Sequence, residues 1–199
     1  TLLIFIMSFY PMFSALLTSF KRGKPTALVW SEPLWRNYQF MLKDKVFLQS
    51  VTNTLTYLVI QVPIMLILAV IFASLLNNRD LKFRGLFRTC IFLPCATGLV
   101  AYSMIFRTLF TYDGMVNNIL LKFGLISEAI NWLNDPVYAK AVIIIGLIWR
   151  WTGYNMVFYL SAMQSIDYSI YEAARIDGAN SYQQLMRITI PLLRPIILV

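Results

Sequence analysis

Chemistry needs particular side chains at particular spacings, and this 199-residue chain is short of most of them. It contains no histidine, which excludes imidazole general-base catalysis, Ser-His-Asp triads and histidine-bearing zinc sites. Its two cysteines, Cys90 and Cys95, stand five apart in an apolar run. On a helix they point about 140° apart, so they read as two small residues packed in a membrane helix and not as a redox or metal pair. The one Gly-Lys pair, Gly23-Lys24, is followed by Pro25 and lacks the upstream glycine, so no P-loop cradles ATP in this polypeptide. The acidic residues sit singly in loops, without the clustered acids or nucleophile dyad that a membrane-embedded lipid enzyme requires.

Two stretches keep side chains that can act. The first, Arg150-Trp151-Thr152-Gly153-Tyr154-Asn155, interrupts an apolar run. A cation in mid-membrane is expensive unless it faces a wet cavity or a partner. Trp151 and Asn155 are i, i+4 neighbours on one helix face, which Phe158 and Ala162 continue. An aromatic ring beside an amide suits a polyol, the ring packing on C–H faces while the amide reads hydroxyls. Two readings stay open: Arg150, Trp151, Tyr154 and Asn155 line a solute pathway, or they join this span to a sister subunit. Gln61, Tyr102 and Ser103 are weaker polar candidates, more typical of ordinary interhelical hydrogen bonds.

The second stretch is residues 167–195. Ser169-x-x-Glu172 and Ser181-x-x-Gln184 both have the capping-box pattern of a helix start, and Gly178 is placed to end the first helix. The pattern predicts two short helices joined by a tight turn over Gly178 to Ser181, tying two membrane spans together. Such a rigid knob suits the transmission of force between a soluble partner and a membrane pathway; an amphipathic surface hairpin without a partner is the plainer alternative. Its three basic residues are balanced by Asp167, Glu172 and Asp177, so it lacks the cationic face that nucleic acid requires.

The elements that must position these residues are membrane helices. The chain is 59% hydrophobic and 13% charged, with a formal net charge of +8 and a mean hydropathy of +0.66, a membrane-protein composition. Spans are expected at about Thr1–Phe20, Val51–Leu76, Thr89–Phe110 and Lys140–Ile166, with the start of a fifth at Ile196. None shows the polar alternation of a membrane β-strand. Residues 21–50 read as a polar loop with interface-seeking Trp30, Trp35 and Tyr38. Arg79 to Arg88 reads as a short amphipathic segment on the membrane surface. Residues 111–139 read as a loop with turn signals at Asp113-Gly114, Asn117-Asn118 and Asp135-Pro136. Thr at position 1 and an apolar run at the other end read as a piece of a longer chain. The positive-inside rule ties, with seven basic residues in the loops on each side.

Glu172-Ala173-Ala174, Gly178, Ile188 and Ile190-Pro191 together resemble the EAA motif of the inner-membrane permeases of binding-protein-dependent ABC importers. Ile190 stands where the family form has leucine. The string YEAARIDGAN, preceded by LSAMQSID, is similar to the sugar-permease branch of the maltose and glycerol-phosphate type. Asn53-Thr54-Leu55, Phe83-Arg84-Gly85, Arg88-Thr89, Phe92-Leu93-Pro94 and Asn131-Trp132-Leu133 are weaker matches, so the resemblance runs over nearly the whole chain. It implies an all-α, polytopic transmembrane helix bundle, a single permease domain of a type I ABC importer in a bacterial or archaeal cytoplasmic membrane. It implies a non-catalytic subunit working with a second permease, two ATPase subunits that bind ATP and Mg, and an extracytoplasmic solute-binding protein. Loop 167–195 is then cytoplasmic: Glu172 meets the ATPase, Ala173 and Ala174 allow close approach, Gly178 makes the turn, and Ile188 and Pro191 anchor the second helix. The solute expected is a sugar or related polyol. Another solute such as a phosphate ester, or an ATP-independent carrier or channel, is the alternative.

Overall fold

The computed structural model describes residues 2–24, 27–78 and 81–197. It divides into two compact units, residues 1–56 and 57–199. In the first unit, helix α1 (Leu2–Ser19) is uncharged, with Pro11 inside it. At 1.5 Å per residue it is about 27 Å long, close to the hydrocarbon thickness of a bilayer.

Residues 21–50 are more ordered than a polar loop. Strands β1 (Lys21–Lys24) and β2 (Ala27–Trp30) pair antiparallel, Lys21 opposite Trp30. Helix α2 (Arg36–Lys43) follows. The rings of Phe20, Trp35 and Tyr38 pack together, and Asn37 Nδ2 donates to the carbonyls of Ser19 (2.7 Å) and Lys21 (2.9 Å). Trp35 and Tyr38 thus pack on Phe20 at the end of α1 while Asn37 ties α2 to the hairpin, contacts between residues too far apart in sequence for composition to register.

Helix α3 (Lys45–Asn77) runs from the first unit into the second. It begins six residues before the expected span because the Asp44 carboxylate accepts from the amide of Val46 at 2.9 Å, capping it. The third expected span is broken. Helix α4 (Arg84–Ala96) and helix α5 (Leu99–Leu109) meet at a bend of 98°. Pro94 lies in the last turn of α4; Thr97 and Gly98 are extended, and the Thr97 hydroxyl donates to the Pro94 carbonyl at 2.7 Å. That side chain serves a carbonyl that a continuing helix would have bonded through its backbone, so the chain turns without orphaning it. The surface segment expected over Arg79 to Arg88 is, from Arg84 onward, the first turns of α4; Arg79 and Asp80 lie outside the described residues.

Helix α6 (Met115–Lys122) occupies the loop that follows. Asn117, only 1% exposed, holds this region. Its Nδ2 donates to the carbonyls of Tyr112 (2.9 Å) and Ile130 (2.8 Å), and its Oδ1 accepts from Trp132 Nε1 (2.8 Å) and the Ile130 amide (3.2 Å). Helix α7 (Pro136–Gln164) starts four residues before the expected span. Asp135-Pro136, read as a turn signal, is its cap and first residue: the Asp135 carboxylate accepts from Val137 and Tyr138.

The core of the second unit is one buried cluster drawn from α3, α7 and Leu193 near the C-terminal end of the described residues. Helix α3 contributes Ala69, Ala73 and Leu76 and helix α7 contributes Met156, Leu160 and Met163, each set at i, i+4, i+7 spacing and so on one helix face. Helix α4 packs on α7 at Gly153. A Cβ there would collide with the backbone carbonyl of Ile91, so the absence of a side chain sets how closely the two helices approach. Most other large apolar side chains of α1 and α3 are exposed, which suits helices whose solvent is lipid. By length and composition, α3, α7 and the bent α4–α5 pair can cross a membrane.

Candidate functional site

Residues 167–195 form the knob that their sequence anticipates, with different caps. Helix α8 (Tyr168–Ile176) starts at Asp167, whose carboxylate accepts from the Ser169 amide at 3.0 Å. The hydrogen bonds from Ser169, its amide first and its side chain second, hold the Asp167 carboxyl below its ordinary range, so the cap stays ionised at neutral pH. Ser169 and Glu172 therefore do not make the expected capping box, because Asp167 takes that role two residues earlier. The second box is also displaced by one. Asn180 Oδ1 accepts from the Gln183 amide (2.8 Å) and Gln183 Oε1 from the Asn180 amide (2.9 Å), opening helix α9 (Ser181–Gln184).

Between the two helices Gly178 has φ +79°. The amides of Gly178 and Ala179 return to the carbonyls of Arg175 (3.0 Å) and Ala174 (2.8 Å), the paired bonds of a Schellman turn. A Cβ on Gly178 would meet nothing within 4 Å, so glycine is required there by backbone conformation and not by space. Beyond α9 the helix widens to a π turn (Leu185–Thr189) before helix α10 (Ile190–Ile197). Pro191 explains the widening: it lacks the N–H owed to the Arg187 carbonyl, and its ring crowds that carbonyl in a regular helix.

Side-chain bonds stiffen the elbow. Tyr171 OH and Thr189 Oγ1 lie 3.0 Å apart, joining α8 to the π turn, and Gln184 Nε2 donates to the Ala179 carbonyl at 2.8 Å. Glu172, Ala173 and Ile176 are exposed on the outer face, Ile176 at 87%, while Ala174 is buried against the turn. Ile188 is half-buried and lines a concavity of about 320 Å³ with Gly178 and Arg187. Pro191 is exposed, so its part in the joint is conformational; Thr189 and Leu193 are the residues that pack inward.

The second candidate stretch lies on an unbroken turn of α7, and the structure divides it. Trp151, Tyr154 and Phe158 form a run of edge-to-face rings on the exposed side, with centroids 5.7 and 4.8 Å apart. At one edge the Arg150 guanidinium lies over Tyr102 of α5 (5.5 Å) and Trp151 (5.9 Å), and its Nη1 is buried without a hydrogen-bond partner. At the other edge Asn155 Nδ2 donates to the Trp151 carbonyl (3.0 Å) and reaches Met65 Sδ of α3 (3.6 Å). Gln61 Nε2 reaches the same sulfur at 3.5 Å, so Gln61, a weak candidate by sequence, joins Asn155 in space. Ser103 bonds only to the Val100 carbonyl of its own helix. Among the described residues no group of acids and cysteines could hold a metal ion.

Residues 40–199 match the family described as the binding-protein-dependent transport system inner membrane component. The chain belongs to that family.

Among its relatives, the lactose transport system permease protein LacF of Rhizobium radiobacter is 50% identical over 196 residues, covering 98% of this chain and 65% of the relative. The arabinooligosaccharides transport system permease protein AraP of Halalkalibacterium halodurans is 36% identical over 193 residues, covering 96% and 60%. A crystal structure of a bacterial ABC transporter that imports the acidic polysaccharide alginate superposes with a TM-score of 0.83 at 25% identity, covering 98% of this chain and 66% of that one. The chain thus spans about two thirds of the length of the proteins it matches. It is a membrane-integral component of that family, with the fold of an ABC importer permease.

Within that permease fold, sequence reasoning missed the Tyr171–Thr189 bond, the Gln184–Ala179 bond and Met65. The first joins residues 18 apart, which no local pattern connects, and Gln184 already had a plausible capping role.

Proposed function

We propose that this chain is the membrane-spanning permease subunit of an ATP-driven, binding-protein-dependent importer, and that it translocates a sugar or related polyol. It does so across a bacterial or archaeal cytoplasmic membrane, as a multi-pass subunit beside a second permease. A solute-binding protein delivers the solute from outside. Two ATPase subunits hold the ATP and Mg, whose hydrolysis supplies the free energy, and this chain performs no chemical step of its own.

The observation that carries this reading is the knob over 167–195. It is held by two capped helices, a Schellman turn and a cross-knob hydrogen bond, and it joins α7 on one side and α10 on the other without a flexible linker. A push on its exposed face, at Glu172, Ala173 and Ile176, is therefore carried into α7 and not absorbed locally. We place this face in the cytoplasm, against the ATPase. Helix α7 then presents Trp151, Tyr154 and Phe158 to the solute, with Asn155 and Arg150 at the two edges of that aromatic strip. The names of the relatives, for lactose and arabinooligosaccharides, favour a sugar.

The test is Gly178→Val in the assembled importer, reconstituted with its companion subunits. Valine is β-branched and is forced into a left-handed conformation that costs about 1–2 kcal/mol even for an unbranched residue. The expected result is an intact complex that hydrolyses ATP while uptake falls at least about tenfold, since a loss of roughly 1.4 kcal/mol of coupling is already tenfold. Full uptake with normal ATPase association removes the coupling role.

A further inference from the structure

A groove of about 1210 Å³ opens beside the knob, between the end of α3, the start of α4, the end of α7 and the helices α8 and α9. The proposed transport cycle gives it no task. Its apolar floor includes Phe72 and Leu76 of α3, Ile91 of α4 and Met163 of α7. These belong to helices long and apolar enough for the bilayer, so the floor sits at the membrane end of the spans. Its rim carries two guanidinium groups, Arg84 in the first turn of α4 and Arg175 in the last turn of α8, and among the described residues no carboxylate lines it.

Among the described residues neither cation has a carboxylate partner. Arg175 Nη1 donates to Tyr168 OH at 3.0 Å and the guanidinium lies over the Tyr168 ring, and among the described residues no carboxylate pairs with it. Arg84 is half-buried, and among the described residues it has no hydrogen-bond or ion-pair partner. It also begins a 13-residue helix whose cap position, Phe83, offers no side-chain acceptor, so the positive end of α4 adds to the same sign of charge.

Two cations at the rim and an apolar trough leading toward hydrocarbon are the complement of an amphipathic anion. A phospholipid satisfies both parts, its phosphate accepting from the arginines and an acyl chain lying along the floor. A free phosphate ester would satisfy the rim and leave the floor wet. We infer that this groove holds an anionic phospholipid of the cytoplasmic leaflet, with its phosphate shared by Arg84 and Arg175. The leaflet assignment rests on the cytoplasmic placement of the knob. The lipid then tethers α8, which carries the outer face of the knob, to the first turn of α4, so lipid composition acts on how stiffly the knob is held.

The test uses the complete importer in nanodiscs of phosphatidylcholine with and without phosphatidylglycerol, with bound lipid counted by native mass spectrometry. The wild-type complex is expected to retain phosphatidylglycerol in preference to phosphatidylcholine. Arg84→Gln with Arg175→Gln is expected to lower that retention roughly tenfold, and Arg84→Lys with Arg175→Lys to keep most of it, because the attraction is to charge near a surface. Equal retention of the two lipids by the wild type overturns the inference. So does equal phosphatidylglycerol retention by the wild type and the double glutamine variant, or displacement of the lipid by soluble glycerol phosphate at equal concentration. If the glutamine pair does not assemble, the wild-type lipid preference and the lysine pair decide the matter. Lipid retention needs no transport, so a protein that moves no sugar refutes the transport reading and leaves this result standing.

Discussion

Asn117 uses both of its amide hydrogens and both carbonyl lone pairs inside the protein, on Tyr112, Ile130 and Trp132. Asn117→Asp keeps the shape but turns two donors into acceptors that face the carbonyls of Tyr112 and Ile130. It is expected to destabilise the protein by about 3 kcal/mol, measured as a lowered midpoint of thermal unfolding in detergent. A second expectation concerns α7: Trp151→Ala or Asn155→Ala raises the KM for uptake at least about threefold, the loss of one ring or amide contact, with assembly unchanged. Unchanged uptake for every solute tried takes the aromatic strip out of the pathway. At this scale the sequence was a good guide to residue type and a poor one to pairing. Gly178 was legible because a helix stop followed by capping residues has few other meanings. Asn117 was not, since an asparagine in a polar loop reads as a turn signal until its partners are known. The caps were each misplaced by one or two residues because Asp167 and Ser169, and likewise Asn180 and Ser181, are all good caps, and only the backbone decides among them.

At the scale of elements, Gly153 sets the approach of α4 to α7, and replacements there, at Gly146 (which faces α5) and at the open Gly85 should differ sharply. Gly153→Ala drives a Cβ into the Ile91 carbonyl, and backbone cannot step aside as a side chain can. Gly146→Ala meets mainly the hydroxyl end of Tyr102, which can rotate away. Gly85 has nothing within 4 Å of an added Cβ, and Gly85→Ala is expected to be neutral or to stabilise by up to about 1 kcal/mol through helix propensity. The expected order of detergent-solubilised stability is therefore Gly85→Ala, then Gly146→Ala, then Gly153→Ala as the least stable. An equal loss at Gly153 and Gly85 would contradict the α4–α7 seam. The existence of membrane helices was plain from uncharged runs. The 98° break between α4 and α5 was not, because hydropathy averages over a window and cannot tell a proline that a helix tolerates, such as Pro63 in α3, from Pro94, which a Thr97–Gly98 bend follows. Residues 21–50 were misread for a related reason: Lys21 and Trp30 face each other across a hairpin, where the ammonium lies 5.0 Å from the ring, yet in sequence they look like a charge and a distant aromatic.

For the whole molecule, the proposed function requires that the force that moves the spans enter through the exposed face of α8. The stiff path runs from that face through the Schellman turn and the Tyr171–Thr189 bond into a core shared by α3, α7 and α10. The most direct measurement places a single cysteine at Ile176, 87% exposed on that face, in a chain whose Cys90 and Cys95 have been replaced by serine. In inside-out vesicles carrying the assembled importer, Ile176→Cys is predicted to react with a membrane-impermeant thiol reagent, to form a short cross-link to the ATPase subunit, and to lose part of its reactivity when that subunit is present. Labelling only from the opposite side of the membrane, or no cross-link to the ATPase at any stage of nucleotide binding, would contradict it.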